Sequence, residues 1–238
     1  MFQLSIELYD TKNKKVVWSD RWQEKWDNLP SIKGILSDGL LQSLDTKPKV
    51  EKKIETTNPE AYEFYLKAKL KYDKREDMED IVIAQGLLKK AIKMDDNLLI
   101  AKLFLSGSYL RNGDHDKSME IFLEVLKKAE EVGDKGNMGA SLMGIGIIYR
   151  FKGDYDKALD YYERSLSIKE EIGDKSEMGI SLNNIGIVYN NRGDYEKSLS
   201  FYTRALKMQE EIGYKCGVGY SLVNIGNVYA NKGDLDTA

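Results

Sequence analysis

The residues that could do chemistry are few. There is one histidine, His115, and one cysteine, Cys216, far apart in the sequence. A Cys/His nucleophile pair would need the fold to bring them together, and a zinc cluster has too few nitrogen and sulfur ligands to draw on. His115 stands in Gly113-Asp114-His115-Asp116 and reads as a solvated loop histidine. The 39 aspartates and glutamates are scattered at helical spacing, so no two of them stand out as a general acid and base. Gly144-Ile145-Gly146 recurs only in part and does not follow a strand, as a phosphate-binding turn must. Trp18, Trp22 and Trp26 are spaced for stacking on a base or sugar, but the pattern around them changes from strand to loop, so core and interface packing is the expected role. The chain is expected not to be an enzyme and to hold no cofactor or metal.

Composition narrows the classes further. At 238 residues the chain suits one large or two small domains. Hydrophobic residues make up 42% and charged residues 32%. No stretch approaches the roughly 18 uninterrupted apolar residues of a spanning helix. Lys plus Arg number 36 against 39 acids, a formal charge of −3, so there is no bulk positive field for phosphate backbones or anionic lipid. Neither nucleic acid nor membrane is an expected partner. One cysteine permits no intramolecular disulfide, and MFQLSIELYD lacks a basic then apolar leader, so a cytoplasmic setting is expected.

The organising signal is an internal repeat. Gly-Asp recurs at 113, 153, 193 and 233, with Tyr109, Tyr149, Tyr189 and Tyr229 keeping the same 40-residue step. So do Gly146, Gly186 and Gly226; Gly133, Gly173 and Gly213; and Phe122, Tyr162 and Tyr202. Within one unit, Leu182, Ile185 and Tyr189 form one helical stripe. Gly193 suits a left-handed helix end, and Asp194 suits the cap of a second helix with stripe Leu199, Tyr202 and Leu206. The unit is therefore a helical hairpin. Glycine inside a helix costs about 1 kcal/mol against alanine, so its recurrence at 146, 186 and 226 predicts a close helix crossing.

Pro30, Pro48 and Pro59 all precede residue 60, and the composition changes there. Phe2, Leu4, Ile6 and Leu8 alternate with polar residues as a half-buried strand does. Val16, Val17 and Trp18 are expected to return antiparallel, and Ile32, Ile35, Leu36, Leu40, Leu41 and Leu44 fit an amphipathic helix. Residues 47–58, polar and containing Pro48, read as a linker.

The repeated unit resembles the tetratricopeptide family in its form of about 40 residues. With Gly179 as first position, the family's small eighth residue falls on Gly186, its Tyr on Tyr189, its small twentieth on Ser198, its aromatic on Tyr202 and its Ala on Ala205. The preceding unit supplies Gly146, Tyr149, Ala158, Tyr162 and Ser165; the one before, Ser106, Tyr109, Ser118, Phe122 and Val125; the last, Gly226, Tyr229 and Ala238. The family's proline near the end of the unit is absent. A degenerate unit begins near Ala61. The stretch Asn58 to Ala68, with Leu4 to Asp10 and Val17 to Trp22 before it, resembles the junction after a TolB-like α/β domain in bacterial proteins.

The resemblance implies a mainly α fold, an α-solenoid of helical hairpins preceded by a short α/β segment. Its expected parts are residues 1–46 as the end of an α/β domain, 47–58 as linker, and 59–238 as solenoid with units near 61–98, 99–138, 139–178, 179–218 and a truncated 219–238. It implies a non-enzymatic scaffold that binds a protein or peptide in a concave groove. The alternative is a regulatory or oligomerising region of a bacterial adenylate or guanylate cyclase or a transcriptional regulator. The family's groove-facing positions fall on Asn183, Asn184, Asn190 and Asn191, then Asn224, Asn227 and Asn231, with Arg150 in the preceding unit. Asn184 and Asn224 recur mid-helix one step apart, where asparagine is a poor helix former, so their joint replacement by alanine is expected to spare folding and weaken binding. Leu222, Ile225 and Tyr229 are expected to lack a covering neighbour in the truncated unit, which implies self-association or fraying at that end.

Overall fold

The computed structural model describes the backbone of residues 2–10 and 15–24 and the whole of residues 58–233. Two strands, β1 (Phe2–Asp10) and β2 (Lys15–Glu24), pair antiparallel with Leu8 opposite Trp18 and Leu4 opposite Trp22. β2 runs past the apolar run at Val16 to Trp18 because ladder bonds are made by the backbone, so Ser19, Asp20 and Arg21 pair with Glu7, Ile6 and Ser5 regardless of polarity. A lone hairpin is marginal and does not by itself make an α/β domain. The helix expected at 32–44, the linker at 47–57, Trp26 and residues 234–238 lie outside the described residues.

Nine helices fill the described part from 58 onward: α1 (Pro59–Asp73), α2 (Met78–Met94), α3 (Leu99–Arg111), α4 (His115–Val132), α5 (Lys135–Phe151), α6 (Tyr155–Glu171), α7 (Lys175–Asn191), α8 (Tyr195–Glu211) and α9 (Lys215–Lys232). The chain divides into two compact units, residues 1–105 and 106–238, with the division inside α3. In the first, Asn58 caps α1 by accepting from the Ala61 amide at 3.1 Å while its Nδ2 donates to the Met94 carbonyl at 3.2 Å, tying the start of α1 to the end of α2. Ala61, Ala68, Ala84 and Leu88 are fully buried, and the Tyr72 ring meets Phe104 edge-on at 5.1 Å.

The second unit repeats one punctuation. Asp114, Asp154 and Asp194 cap α4, α6 and α8 by accepting the amides of Lys117, Lys157 and Lys197. Asp134 and Asp174 do the same for α5 and α7, whereas Tyr214 occupies that place before α9 and makes no side-chain cap. The preceding glycines Gly113, Gly153 and Gly193 have φ of +78°, +76° and +76°, the left-handed turn that lets one helix stop and the next start.

In the hairpins α5–α6 and α7–α8 an aromatic ring lies on a glycine. A Cβ on Gly186 would stand 2.6 Å from the Tyr202 ring, and one on Gly146 would stand 2.7 Å from Tyr162. The close crossing expected from the glycine step is therefore a ring-on-backbone contact. Met143, Ala158, Leu159, Tyr162, Ile185 and Val188 form a core shared by α5, α6 and α7. At the edges, Lys135 pairs with Glu171 at 2.6 Å and Lys175 with Glu211 at 3.2 Å, while Lys152 pairs with Asp116 and Arg192 with Asp156. Exposed pairs contribute little each, so the shared core holds the stack.

The caps carry a pH signature. Hydrogen bonds from Lys157 and Lys197 hold the Asp154 and Asp194 carboxyls below the usual carboxylate range, as Lys117 does for Asp114. The folded pKa lies below the unfolded value of about 3.9, so this stabilisation is present above about pH 4 and is lost as pH falls through the folded pKa. Calorimetry should show the melting temperature dropping in that acid window, less steeply when all three aspartates are replaced by asparagine, which still caps.

Candidate functional site

The first helices of successive hairpins touch in turn, α5 against α7 and α7 against α9, and form one layer of the second unit. The amides singled out in the sequence divide on it. Asn183 is 1% exposed and its Nδ2 donates to the Gly179 carbonyl at 3.1 Å and to Ser221 Oγ at 2.9 Å. Ser221 Oγ also donates to Gln209 Oε1 at 2.7 Å, and Asn224 Nδ2 donates to Asn183 Oδ1 at 3.4 Å. Asn183 and Asn224 are thus parts of a buried network joining α7, α8 and α9, not free groove donors. The correction has a plain cause: the register places position 183 in the seam between helices, where Met143 stands one unit earlier. Asn224 is buried, so replacing it together with Asn184 bears on folding as well as on binding.

Asn190 and Asn231 are on the surface and bonded to each other, with Asn231 Nδ2 donating to Asn190 Oδ1 at 3.2 Å. Asn191 ends α7 and Asn227 lies on α9, both exposed. Asn184 is half-buried and, with the buried Asn183 beside it, lines a recess of about 290 Å³ together with Ile180, Gln209, Tyr214, Cys216, Gly217 and Tyr220. Gln209, Tyr214, Tyr220 and Cys216 carried no motif. The signal that could have found Gln209 is the repeat itself, since a polar residue stands there where Ala129 stands two units earlier.

Arg150 is half-buried near the end of α5, with its guanidinium 4.4 Å from the centre of the Phe151 ring. His115 stacks on the other partner of that contact, Phe151, at 5.2 Å. It is therefore the first residue of α4 and packed on a ring, not a loop histidine in solvent. The Tyr162 hydroxyl is fully buried beside the Arg150 guanidinium, which hydrogen-bonds it. Burial pushes the Tyr162 phenol up to about 12 while Arg150 beside it pulls the other way. Burial likewise pushes Tyr202 up to about 12, opposed by a hydrogen bond with Ser198. The two tyrosines differ because Ala158 stands where the next unit has Ser198.

Among the described residues, no group of three His, Cys, Asp or Glu side chains could hold a metal ion, and no helix is long and apolar enough to cross a membrane. A family model of the tetratricopeptide repeat matches residues 97–171 and 177–238, more than half of the chain. The chain belongs to the tetratricopeptide-repeat family. Solved structures share the fold. BtubC (BKLC) from P. vanneervenii is 20% identical at a TM-score of 0.57, over 75% of this chain and 84% of that one. A signal transduction ATPase with numerous domains and a tetratricopeptide repeat sensor, from Pyrococcus horikoshii, is 19% identical at 0.66, over 87% of this chain and 32% of that one. A Rap protein complexed with Competence and Sporulation Factor is 15% identical at 0.67, over 90% of this chain and 64% of that one. The chain thus spans about a third of the ATPase and less than two thirds of the Rap protein. At these identities the likeness is one of fold. No curated protein matches the chain.

Proposed function

We propose that this tetratricopeptide-repeat chain is a non-enzymatic interaction module that holds an extended peptide segment along the first helices α5, α7 and α9. The observation that carries the reading is the recess beside Asn184, lined by Tyr214 and Tyr220 as well as by an amide that the buried network leaves out. A half-buried carboxamide can donate to and accept from a peptide backbone, and the rings offer apolar area. The Rap protein, similar in fold, is described as complexed with a factor, which supports a ligand-holding role for such a stack. A second reading, a regulatory region of a larger protein, is favoured by the likeness to an ATPase whose repeat is called a sensor. In it the strand pair before the repeats would be the end of an α/β domain, and a cyclase or transcription regulator the parent.

Cys216 makes the test direct, because it is the one cysteine in the chain, is exposed and lines the recess. A dye on Cys216 should report peptides selected from a random library, and Asn184→Ala should weaken those peptides by about 1 kcal/mol, roughly fivefold, with the melting temperature unchanged. Selected peptides that leave the dye unmoved and ignore Asn184→Ala would remove this face as the binding site.

A further inference from the structure

The junction between α8 and α9 departs from the repeat. The two earlier junctions of its kind carry Asp134 and Asp174, each capping the helix that follows, but here the chain has Tyr214, and α9 starts with no side-chain cap. Four more positions change with it. Gln209 stands where the earlier units have Ala129 and Lys169, and Cys216 where they have Gly136 and Ser176. Gly217 replaces Asn137 and Glu177, and Tyr220 replaces Ala140 and Ile180. All five line one recess, the one beside Asn184. A stabilising cap is given up for a ring there, and a local rule broken at one unit of a regular array marks a place with a use of its own.

Gln209 is the most buried part of that lining besides Asn183. It is 1% exposed, and its carboxamide is wedged between two glycines: a Cβ on Gly179 would stand 2.9 Å from Nε2, and one on Gly217 would stand 2.7 Å from Cδ. Ser221 Oγ donates to Oε1 at 2.7 Å, which fixes the orientation of the carboxamide and leaves Nε2 as the end with hydrogen bonds to give. Among the described residues Nε2 donates to no acceptor, and the Asn184 carboxamide makes no hydrogen bond either. A donor this buried forfeits water without a partner inside the protein, so an acceptor that enters the recess gains the difference.

The rest of the lining sets what carries that acceptor. Tyr214 and Tyr220 are partly open, at 38% and 53% exposure, and Ile180 joins them. No lysine, arginine, aspartate or glutamate lines the recess, so a charged side chain would enter it without a countercharge. At about 290 Å³ it lies at the small end of ligand sites, roughly 300–1,000 Å³, which suits one side chain. An aromatic ring matches the two tyrosines, and among aromatic side chains only tyrosine carries an oxygen that can accept from Nε2.

We propose that this recess is a tyrosine pocket: it takes a tyrosine side chain of the bound segment, with the ring against Tyr214 and Tyr220 and the hydroxyl oxygen accepting from Gln209 Nε2. This rests on the peptide-holding reading and deepens it by naming the side chain that is selected. Asn184 remains for the backbone of the segment. Phenylalanine would leave Nε2 unpaired and is rejected for that reason.

The test pans a random displayed peptide library on the whole chain, with Cys216 unlabelled because it lines the recess, and measures single peptides by titration calorimetry. Selections should concentrate tyrosine at one place in the peptide, and phenylalanine at that place should bind about tenfold more weakly. Gln209→Met removes the donor at similar size, while Ser221 Oγ keeps Asn183 Oδ1 as an acceptor at 3.2 Å. On that variant the tyrosine and phenylalanine peptides should bind alike. Tyr214→Asp restores the cap of the earlier junctions, so the melting temperature should hold or rise while the tyrosine peptide weakens several-fold, a pairing that a purely structural tyrosine would not show. Selections without tyrosine, a tyrosine advantage that survives Gln209→Met, or tyrosine peptides indifferent to Tyr214→Asp would overturn the pocket, and the groove stands if Asn184→Ala still weakens those peptides. A library that yields no binder, or binders that ignore Asn184→Ala as well, would overturn the groove and the pocket with it.

Discussion

Replacing Tyr202 with alanine should destabilise the second unit by about 3–5 kcal/mol, read as a fall in the denaturant midpoint. The ring is 1% exposed and lies against Gly186 so closely that a Cβ there would stand 2.6 Å from it. Nothing else can fill that space, because the facing residue has no side chain to move. α7 and α8 lose their main contact and, since each hairpin depends on its neighbours, the seams with α6 and α9 weaken too. Tyr202→Phe keeps the ring and loses only the bond with Ser198, so it should cost about 1 kcal/mol. An alanine variant within 1 kcal/mol of wild type would show that the ring-on-glycine contact is not what closes the hairpin. The paired variant Gly186→Ala adds helix propensity but forces the ring aside, and should still be less stable than wild type.

Asn183→Ala should cost about 2–3 kcal/mol, although the family pattern assigns that position to a ligand. The change removes the acceptor of Asn224 Nδ2 and the donor to Ser221 Oγ, in a seam where both partners are buried. Replacing one member of a satisfied network costs the desolvation of those left behind, which exceeds the net value of the bonds themselves. Hydrogen exchange should show the loss localised to the α7 and α9 amides. If Asn183→Ala has wild-type stability, the network is not closed as the distances indicate and Asn183 returns to the groove. Asn184→Ala, one residue on, should be nearly neutral for stability, and that contrast separates the two neighbouring asparagines.

The sequence by itself determined the helical hairpins and their 40-residue register, because these follow from local physics. Gly193 must turn left-handed, Asp194 must cap, and Leu182, Ile185 and Tyr189 must share a face whatever the rest of the chain does. Mid-helix glycine also announced a close crossing, though not that a tyrosine ring would occupy it. What a polar side chain does at a seam was decided only by the tertiary structure. Asn183 and Asn184 are adjacent, chemically identical and equally placed by the family pattern. Both border the recess, but Asn183 is 1% exposed and bonded to Ser221 across the α7 and α9 contact while Asn184 is half-buried, since successive residues on a helix point about 100° apart and the neighbouring helix covers one direction more than the other. The same holds for Arg150. Its type and position were visible in the sequence, but the ring beneath it, the imidazole stacked on that ring and the buried phenol beside it come from Phe151, His115 and Tyr162, on three different helices. A local pattern reports what one helix would do alone, and the partner a side chain finds is a property of everything packed around it.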